Sequence, residues 1–422
     1  MAGAQAPKID ESRLERSIQE LARVGSYLEE STGLLGVNRL ALTDADKAGR
    51  DLVKQWLEEA RLLVRVDKIG NVFGRRSGRN DALAPVMAGS HIDSVPTGGA
   101  FDGALGVLGA LEVVRTLNQH GVETERPIEI GFFTDEEGAR FGTDMLGSAV
   151  ASGRISLEDA LSKRDADGLS VGDELQRIGY RGTDEERLVP PYAYVECHIE
   201  QGPILSLEGW DLGVVTGVQG ISWQEITVAG KAAHAGTTPM SLRHDAGLGI
   251  ARLAVHLSEM VRSGKYGTEL RATMGRMDPY PNKVNIVPGR AVATIDLRNP
   301  DDGLMSLAER DLEVFKASLE SELGVKISSR QTARTPRIAF SEHVQERIAE
   351  AMSARGHQFR RILSGAGHDA QELAAICPTA MIFVPGEYEG ISHNPRELST
   401  SSACARGVQI LGDVILGLAL ER

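Results

Sequence analysis

Between about Glu11 and Glu30 the apolar residues Leu14, Ile18, Leu21, Val24 and Leu28 recur at intervals of three and four. That spacing lines one face of a helix and predicts an amphipathic element at the amino terminus. The pattern then changes to unbroken apolar runs of strand length. PVMAGSHID is followed by DGALGVLGALEVVRTLNQHG, then PIEIGFFTDEE, and later AYVECHIEQ and GPILSLEG. Buried strands separated by helices predict a largely parallel sheet with helices on both faces. Around Gly217 the texture becomes alternating: ISWQEITVAGK reads as a half-buried strand, with helices expected near Arg243 to Ser263 and Leu304 to Leu323 and the strand AVATIDLRN between them. After roughly Arg334 the buried character returns in TAMIFVPG and a final helix. The expected architecture is therefore α/β: a mixed, mostly parallel sheet with flanking helices over residues 1–216 and 332–422, interrupted by a smaller α+β domain over 217–331.

Composition narrows the class. A chain of 422 residues with 41% apolar and 25% charged side chains is long enough for two or three folded units at about 150 residues each, which excludes a disordered chain. The formal net charge of −13 argues against nucleic acid as a partner, because phosphate contacts need clustered lysine and arginine. Cys197, Cys377 and Cys404 form no metal-binding spacing and are expected to be free thiols in a reducing compartment. No secretory signal is visible in MAGAQAPKIDESRLERSIQE, and a cytoplasmic location is expected. The apolar tail Ile410 to Leu420, interrupted by Asp413, is well short of the ~20 residues that span a bilayer. It reads as a closing amphipathic helix, and no membrane partner is expected.

Several buried runs end in ligand-type residues. In an open α/β sheet, ligands collect in the crevice beyond the carboxyl ends of the strands, so these ends should converge. His91 and Asp93 in GSHID fall on one side of an extended chain, where Asp93 could orient the imidazole; the plainer reading is an ordinary hydrogen-bonded pair. Asp102 stands in the glycine-flanked turn GGAFDGALG, either approaching a ligand or simply capping the helix that follows. Thr134 to Gly138 places Asp135, Glu136 and Glu137 in succession after a buried run, an arrangement that calls for a cation or for full solvation. In ECHIEQ, alternation sets His198 opposite Cys197, leaving Cys197 to the core. His393 lies in the loop GISHNP. Together His91, Asp102, Glu137, His198 and His393 make a mixed imidazole and carboxylate set suited to two divalent ions sharing a bridging carboxylate.

The stretches GSHIDSVPTGGAFDG, FTDEEGARF, HIEQGP, AGKAAHAGTTPM, VNIVPG, SGAGHDA and GISHNP follow in the order seen in M20-type metal-dependent amidohydrolases. The chain resembles, over nearly its whole length, the branch containing N-carbamoyl-L-amino-acid hydrolases, allantoate amidohydrolases and β-ureidopropionases. That resemblance implies that residues 1–216 and 332–422 form a metal-binding catalytic domain and 217–331 a lid and dimerisation domain. It implies that His91 and His198 hold one ion, Glu137 and His393 the other, and that Asp102 bridges them, with Glu136 as general acid/base; Asp93, on the same side of its strand as His91, is counted with Glu136 and His234 among the expected catalytic residues. It further assigns His234 to polarising the substrate carbonyl across a homodimer, Asn285 and Arg298 to gripping the substrate carboxylate, and Gln201 to a further contact. On the residues alone, Arg298 reads equally as a surface ion-pair residue and Asn285 as a turn residue. His368 in SGAGHDA is expected near the substrate, orienting neighbouring groups, while His120 and His256 are expected in solvated or capping roles.

The implied cofactors are two divalent ions per subunit, with zinc, manganese, cobalt and nickel all compatible with such ligands. The expected reaction is hydrolysis of the carbamoyl C–N bond of a small-molecule N-carbamoyl-L-amino acid. Allantoate is the nearest rival substrate, followed by N-carbamoyl-β-alanine. A dipeptidase or aminopeptidase is weaker, because HIEQ supplies His198 where peptidase-like relatives usually carry a carboxylate. A non-catalytic binding protein is a further alternative, and the complete ligand set with Glu136 argues against it.

Overall fold

The computed structural model describes residues 5–422. The chain divides into two compact units, one running to Gly217 and resuming at Ala339, the other comprising Val218–Ile338.

The first unit is built on four neighbouring parallel strands, in the spatial order Thr379–Val384, Ala193–Ile199, Val86–His91 and Ile128–Phe133. Every residue of these strands is buried. Both faces are covered, and this is why their sequences read as continuous apolar runs instead of alternating ones. Antiparallel strands extend the sheet on both sides: Val72–Arg76 pairs with Ile128–Phe133, and Leu212–Val218 with Thr379–Val384. The sheet is thus mixed and mostly parallel, with flanking helices. The helix Ala104–Gln119 links two adjacent parallel strands, Val86–His91 and Ile128–Phe133, and nearly all of it is buried. Its amino end therefore opens at the same sheet edge where the parallel strands finish.

Two expectations change at the termini. The first helix spans only Glu11–Arg23, capped by Asp10. Val24 is extended and Gly25 takes a φ of +80°, which turns the chain into a short hairpin of Ser26–Leu28 with Leu35–Val37. Leu28, expected on the helical face, is exposed. The closing helix Ser401–Ala419 is buried on almost all sides, so it is a core helix and not an amphipathic one. By length and composition it passes for a membrane span, yet 78% of its apolar window is buried inside the structure. Asp413, the polar interruption, accepts the Ala6 N–H at 2.7 Å and pairs with the guanidinium of Arg355, whose Nη2 lies 2.8 Å away. The charge is compensated in place, which lets an acidic residue sit in this helix.

The second unit is a four-stranded antiparallel sheet in the order Arg271–Tyr280, Arg290–Asn299, Gly220–Ala229, Lys326–Thr335. The helices Ala246–Arg262 and Asp302–Leu323 bury Ile250, Leu253, Leu257, Leu312 and Leu319 in one core with Ile226, Val228, Ala293 and Ile295. Its two edge strands, RATMGRMDPY and KISSRQTART, carry many exposed polar residues and lack the apolar runs by which the others are read.

Candidate metal centre

His91 closes its strand and His198 lies one residue before the end of its own. The Nδ1 of His91 meets the Asp93 carbonyl at 3.0 Å, and the Nδ1 of His198 meets the Ile199 carbonyl at 2.8 Å. A carbonyl only accepts, so each Nδ1 donates and each Nε2 presents a lone pair in the neutral ring. Both Nε2 atoms face Oδ1 of Asp102, His198 at 3.2 Å and His91 at 3.7 Å. The other oxygen of Asp102, Oδ2, faces His393 Nε2 at 3.4 Å, and Oε2 of Glu137 lies 3.3 Å from the same nitrogen. Two groups result, His91/Asp102/His198 and Asp102/Glu137/His393, each with its ligand atoms within 4.8 Å of one another.

Local backbone geometry produces this arrangement. Asp102 does not cap the helix that follows it: the cap position is Gly103, with φ +62° and no side-chain cap. A Cβ at Gly103 would sit 2.4 Å from atoms of the His91 ring, so only glycine lets the turn pass this close to the imidazole. Asp93 acts differently from the expected carboxylate–imidazole pair. Its Oδ1 lies 3.8 Å from His91 Nδ1, beyond hydrogen-bond range, and its backbone carbonyl holds the ring instead. The Asp93 carboxylate accepts the N–H groups of Glu136 and Glu137, both at 3.3 Å. It thereby fixes the acidic turn in which Asp135 takes a φ of +55°. From that turn Glu136 and Glu137 point apart: Glu136 Oε2 lies 3.5 Å from His91 Nε2, while Glu137 turns to His393.

The electrostatics follow from this crowding. Burial, reinforced by Asp369, Glu137, Asp102 and Asp93, holds the Glu136 carboxyl well above the usual carboxylate range. Burial opposes ionisation of Asp102 too, but hydrogen bonds from His198 and His393 and the charge of His91 outweigh it and keep that carboxyl well below its ordinary value. His393 is pushed up to about 11 by Asp102 and Glu137. His198 rises to about 9, because the Asp102 contact overcomes the lowering effect of burial. Both oxygens of the buried Asp135 carboxyl lack a hydrogen-bond partner. Carboxylates gathered around inward-facing imidazole lone pairs, with one carboxylate offering an oxygen to each group, fit a pair of divalent cations.

The remaining expected residues fall into place unequally. Gln201, with φ +55°, donates from Nε2 to Asp102 Oδ2 at 2.8 Å, and its Oε1 is buried without a partner. His368 packs edge-on against the His198 ring at 4.5 Å and meets Ser364 Oγ at 2.9 Å. Glu196, His198 and His368 form a further ligand-like group, but Glu196 already accepts from Ser90, Tyr194 and Ala370 N–H. Its carboxylate is thus already engaged by three donors. His234, Asn285 and Arg298 all lie in the second unit. Residues 233–234 pair with 286–287, and the Ala235 N–H reaches the Asn285 carbonyl at 3.0 Å. Arg298, on the Arg290–Asn299 strand, forms an ion pair with Asp296 at 3.0 Å. Cys197 is buried against the closing helix, and the three cysteines are free. His120 Nδ1 meets the Thr116 carbonyl at its helix end at 2.9 Å, and His256 stacks on Phe315 at 3.7 Å.

Sequence reasoning missed Ser392 and Glu397, whose side chains reach Asp102, Phe101 and each other. The only signal was their place one residue before and four after His393. A cavity of about 610 Å³ lined by Arg13, Trp56, Arg61 and Arg115 lies near the carboxyl end of Ala104–Gln119, the helix end remote from Asp102.

The chain's similarity to known proteins spans both units. A profile of peptidase family M20/M25/M40 matches residues 87–417. An N-carbamoyl-L-amino-acid amidohydrolase of Rhizobium meliloti is 40% identical, covering 98% of this chain and 97% of that one. An allantoate amidohydrolase of Bacillus subtilis is 33% identical over 91% of this chain and 93% of its own. The crystal structure of an amidase of the hydantoinase/carbamoylase family from Burkholderia vietnamiensis superposes with a TM-score of 0.91 at 44% identity, covering 98% of each chain.

Proposed function

The chain belongs to peptidase family M20/M25/M40 and is a hydrolase of C–N bonds in linear amides or ureides; from that premise we propose that its substrate is an N-carbamoyl-L-amino acid, converted to the amino acid, carbon dioxide and ammonia. The observation that carries the chemistry is the Asp102 carboxylate facing His91 and His198 with one oxygen and His393 with the other, with Glu136 alongside. The substrate assignment is supported by the 40% identity to a full-length relative of that name.

In this reading His91, Asp102 and His198 hold one divalent cation and Asp102, Glu137 and His393 a second. Such cations, when bound, polarise a carbonyl and lower the pKa of water toward ~7. Glu136 takes the proton from the attacking water and returns it to the departing nitrogen. The Glu136 carboxylate, 3.5 Å from His91 Nε2 and beside both ligand groups, is placed to accept a proton and to hand it back. Asp93 keeps the Glu136–Glu137 turn in register through its two N–H contacts. Gln201 offers the unpartnered Oε1 to a substrate N–H. Asn285 and Arg298 bind the substrate carboxylate, a task for which a guanidinium provides two parallel donors. His234 stabilises the developing oxyanion, serving the neighbouring subunit of a homodimer.

Allantoate is the second reading, favoured by the Bacillus subtilis relative, because the same clamp and the same ureido chemistry serve both compounds. The test is ammonia release by cation-reconstituted protein from a panel of N-carbamoyl-L-amino acids, N-carbamoyl-β-alanine and allantoate. Higher kcat/KM on carbamoyl amino acids supports the first reading. Preference for allantoate reassigns the substrate, and no turnover of any ureide overturns both.

A further inference from the structure

The loop that carries His393 is tied to the loop that carries Asp102 by a compact set of hydrogen bonds. Glu397, buried to 6% exposure, accepts two backbone N–H groups on Oε1, from Phe101 at 2.9 Å and from Asp102 itself at 3.1 Å. Its Oε2 lies 2.7 Å from the Ser392 hydroxyl, which is also 2.8 Å from Asp102 Oδ2. Thr97 adds a third tie, donating to the His393 carbonyl at 3.0 Å. The packing leaves no slack: a Cβ on Gly99 would stand 2.4 Å from Glu397 Cβ and Oε1. The contacts that cross between the loops join partners 290 to 296 residues apart in sequence, while the Ser392–Glu397 contact lies within the His393 loop.

The two halves of the site depend on this clasp to different degrees. His91 and His198 sit on buried strands, with each ring held by a backbone carbonyl. His393 sits in a loop, its side chain about half exposed and its backbone in the left-handed region at φ +55°. A non-glycine residue holds that conformation only when its surroundings impose it. Ser392, moreover, touches Oδ2 of Asp102, the oxygen turned to His393, and not Oδ1, which faces His91 and His198.

We infer that Glu397 and Ser392 are positioning residues for the shared carboxylate, and that they secure the Asp102/Glu137/His393 half of the centre in preference to the His91/Asp102/His198 half. Glu397 fixes the Asp102 backbone, and Ser392 aims the oxygen that serves the looser half. Groups that orient metal ligands in this way typically change cation affinity by ~10–100-fold when removed.

The inference rests on the two-cation reading, and the experiment separates the two. Zinc content and zinc affinity by chelator competition are measured for the wild-type protein and for Glu397→Ala, Glu397→Gln and Ser392→Ala, with thermal unfolding as the check on folding. The wild type is expected to hold two zinc ions per chain. Glu397→Ala is expected to hold one tightly and to bind the second about 10–100-fold more weakly, with Ser392→Ala shifted in the same direction by less. Glu397→Gln keeps an oxygen for the Phe101 and Asp102 N–H groups and is expected to recover most of the second-ion affinity. A wild type binding fewer than two ions overturns the two-cation reading and this inference with it. With two ions in the wild type, a Glu397→Ala chain that keeps both at wild-type affinity, or weakens both equally, overturns the inference alone. So does a Glu397→Gln chain no better than Glu397→Ala. If Glu397→Ala does not fold, Ser392→Ala decides: unchanged affinity for the second ion overturns the inference.

Discussion

The Nε2 of His198 lies 3.2 Å from Oδ1 of Asp102, and both side chains are buried. A neutral imidazole nitrogen and a carboxylate oxygen both offer lone pairs, so the contact is favourable only with a proton or a cation between them. Asp102 repeats this relationship with His393 through its other oxygen. Asp102→Ala is therefore expected to abolish tight binding of both cations and to lower turnover by more than the ~10²–10⁴-fold attributed to a general acid/base alone. Zinc analysis of the dialysed variant together with ammonia release checks this; a variant retaining both ions contradicts the shared-ligand assignment.

The same geometry sets a pH dependence. In the cation-free chain His198 titrates at about 9 and His393 at about 11, both above the ~6.5 of an unfolded chain. Raised histidine values mean that these pairs stabilise the cation-free fold fully below about pH 6.5, and that the contribution is lost as pH rises through about 9 and then about 11. Cation binding must expel those protons, so affinity is expected to increase with pH across the neutral range. Titration calorimetry in buffers of different ionisation enthalpy should report proton release at pH 7, and its absence would contradict the assignment of these imidazoles as ligands.

Gly103→Ala tests the turn. Gly103, at φ +62° and ψ −47°, lies in a sparsely populated region that costs a non-glycine residue about 1–3 kcal/mol, and the new methyl group meets the His91 ring. Reduced stability in urea is expected together with weaker cation binding. Normal affinity would show that the His91 ring can move aside without loss.

Arg298→Ala addresses substrate recognition. Losing a charge-assisted contact with a carboxylate is worth about 1.5–3 kcal/mol, which corresponds to a rise in KM of roughly 10–150-fold. Cation content should not change. Unaltered KM in a folded variant would remove Arg298 from the carboxylate clamp.

The parallel strands were legible because burial on both faces writes itself as apolar runs such as IEIGFF and AYVECHI, and because their ends carry the residues that need a crevice. The edge strands Arg271–Tyr280 and Lys326–Thr335 were not: their solvent-facing residues dilute the alternation. The first helix was read too long because Val24 and Leu28 continue its period, while the positive φ of Gly25 ends it. Within the site, the residue types at the strand ends were readable one by one. The clasp between Glu397 and the Asp102 backbone was not, because a glutamate four positions after a histidine carries no mark of a partner 295 residues away. Nor could spacing reveal that the Asp93 carbonyl, instead of its carboxylate, holds His91.

The central claim is that Glu136 moves the proton in a reaction organised around Asp102. The most direct measurement is cation content and ammonia release, side by side, for the wild type and Glu136→Gln with the preferred carbamoyl substrate. The account predicts two cations per chain in both proteins and turnover lower by about 10²–10⁴-fold in the variant. Undiminished turnover by Glu136→Gln would contradict it.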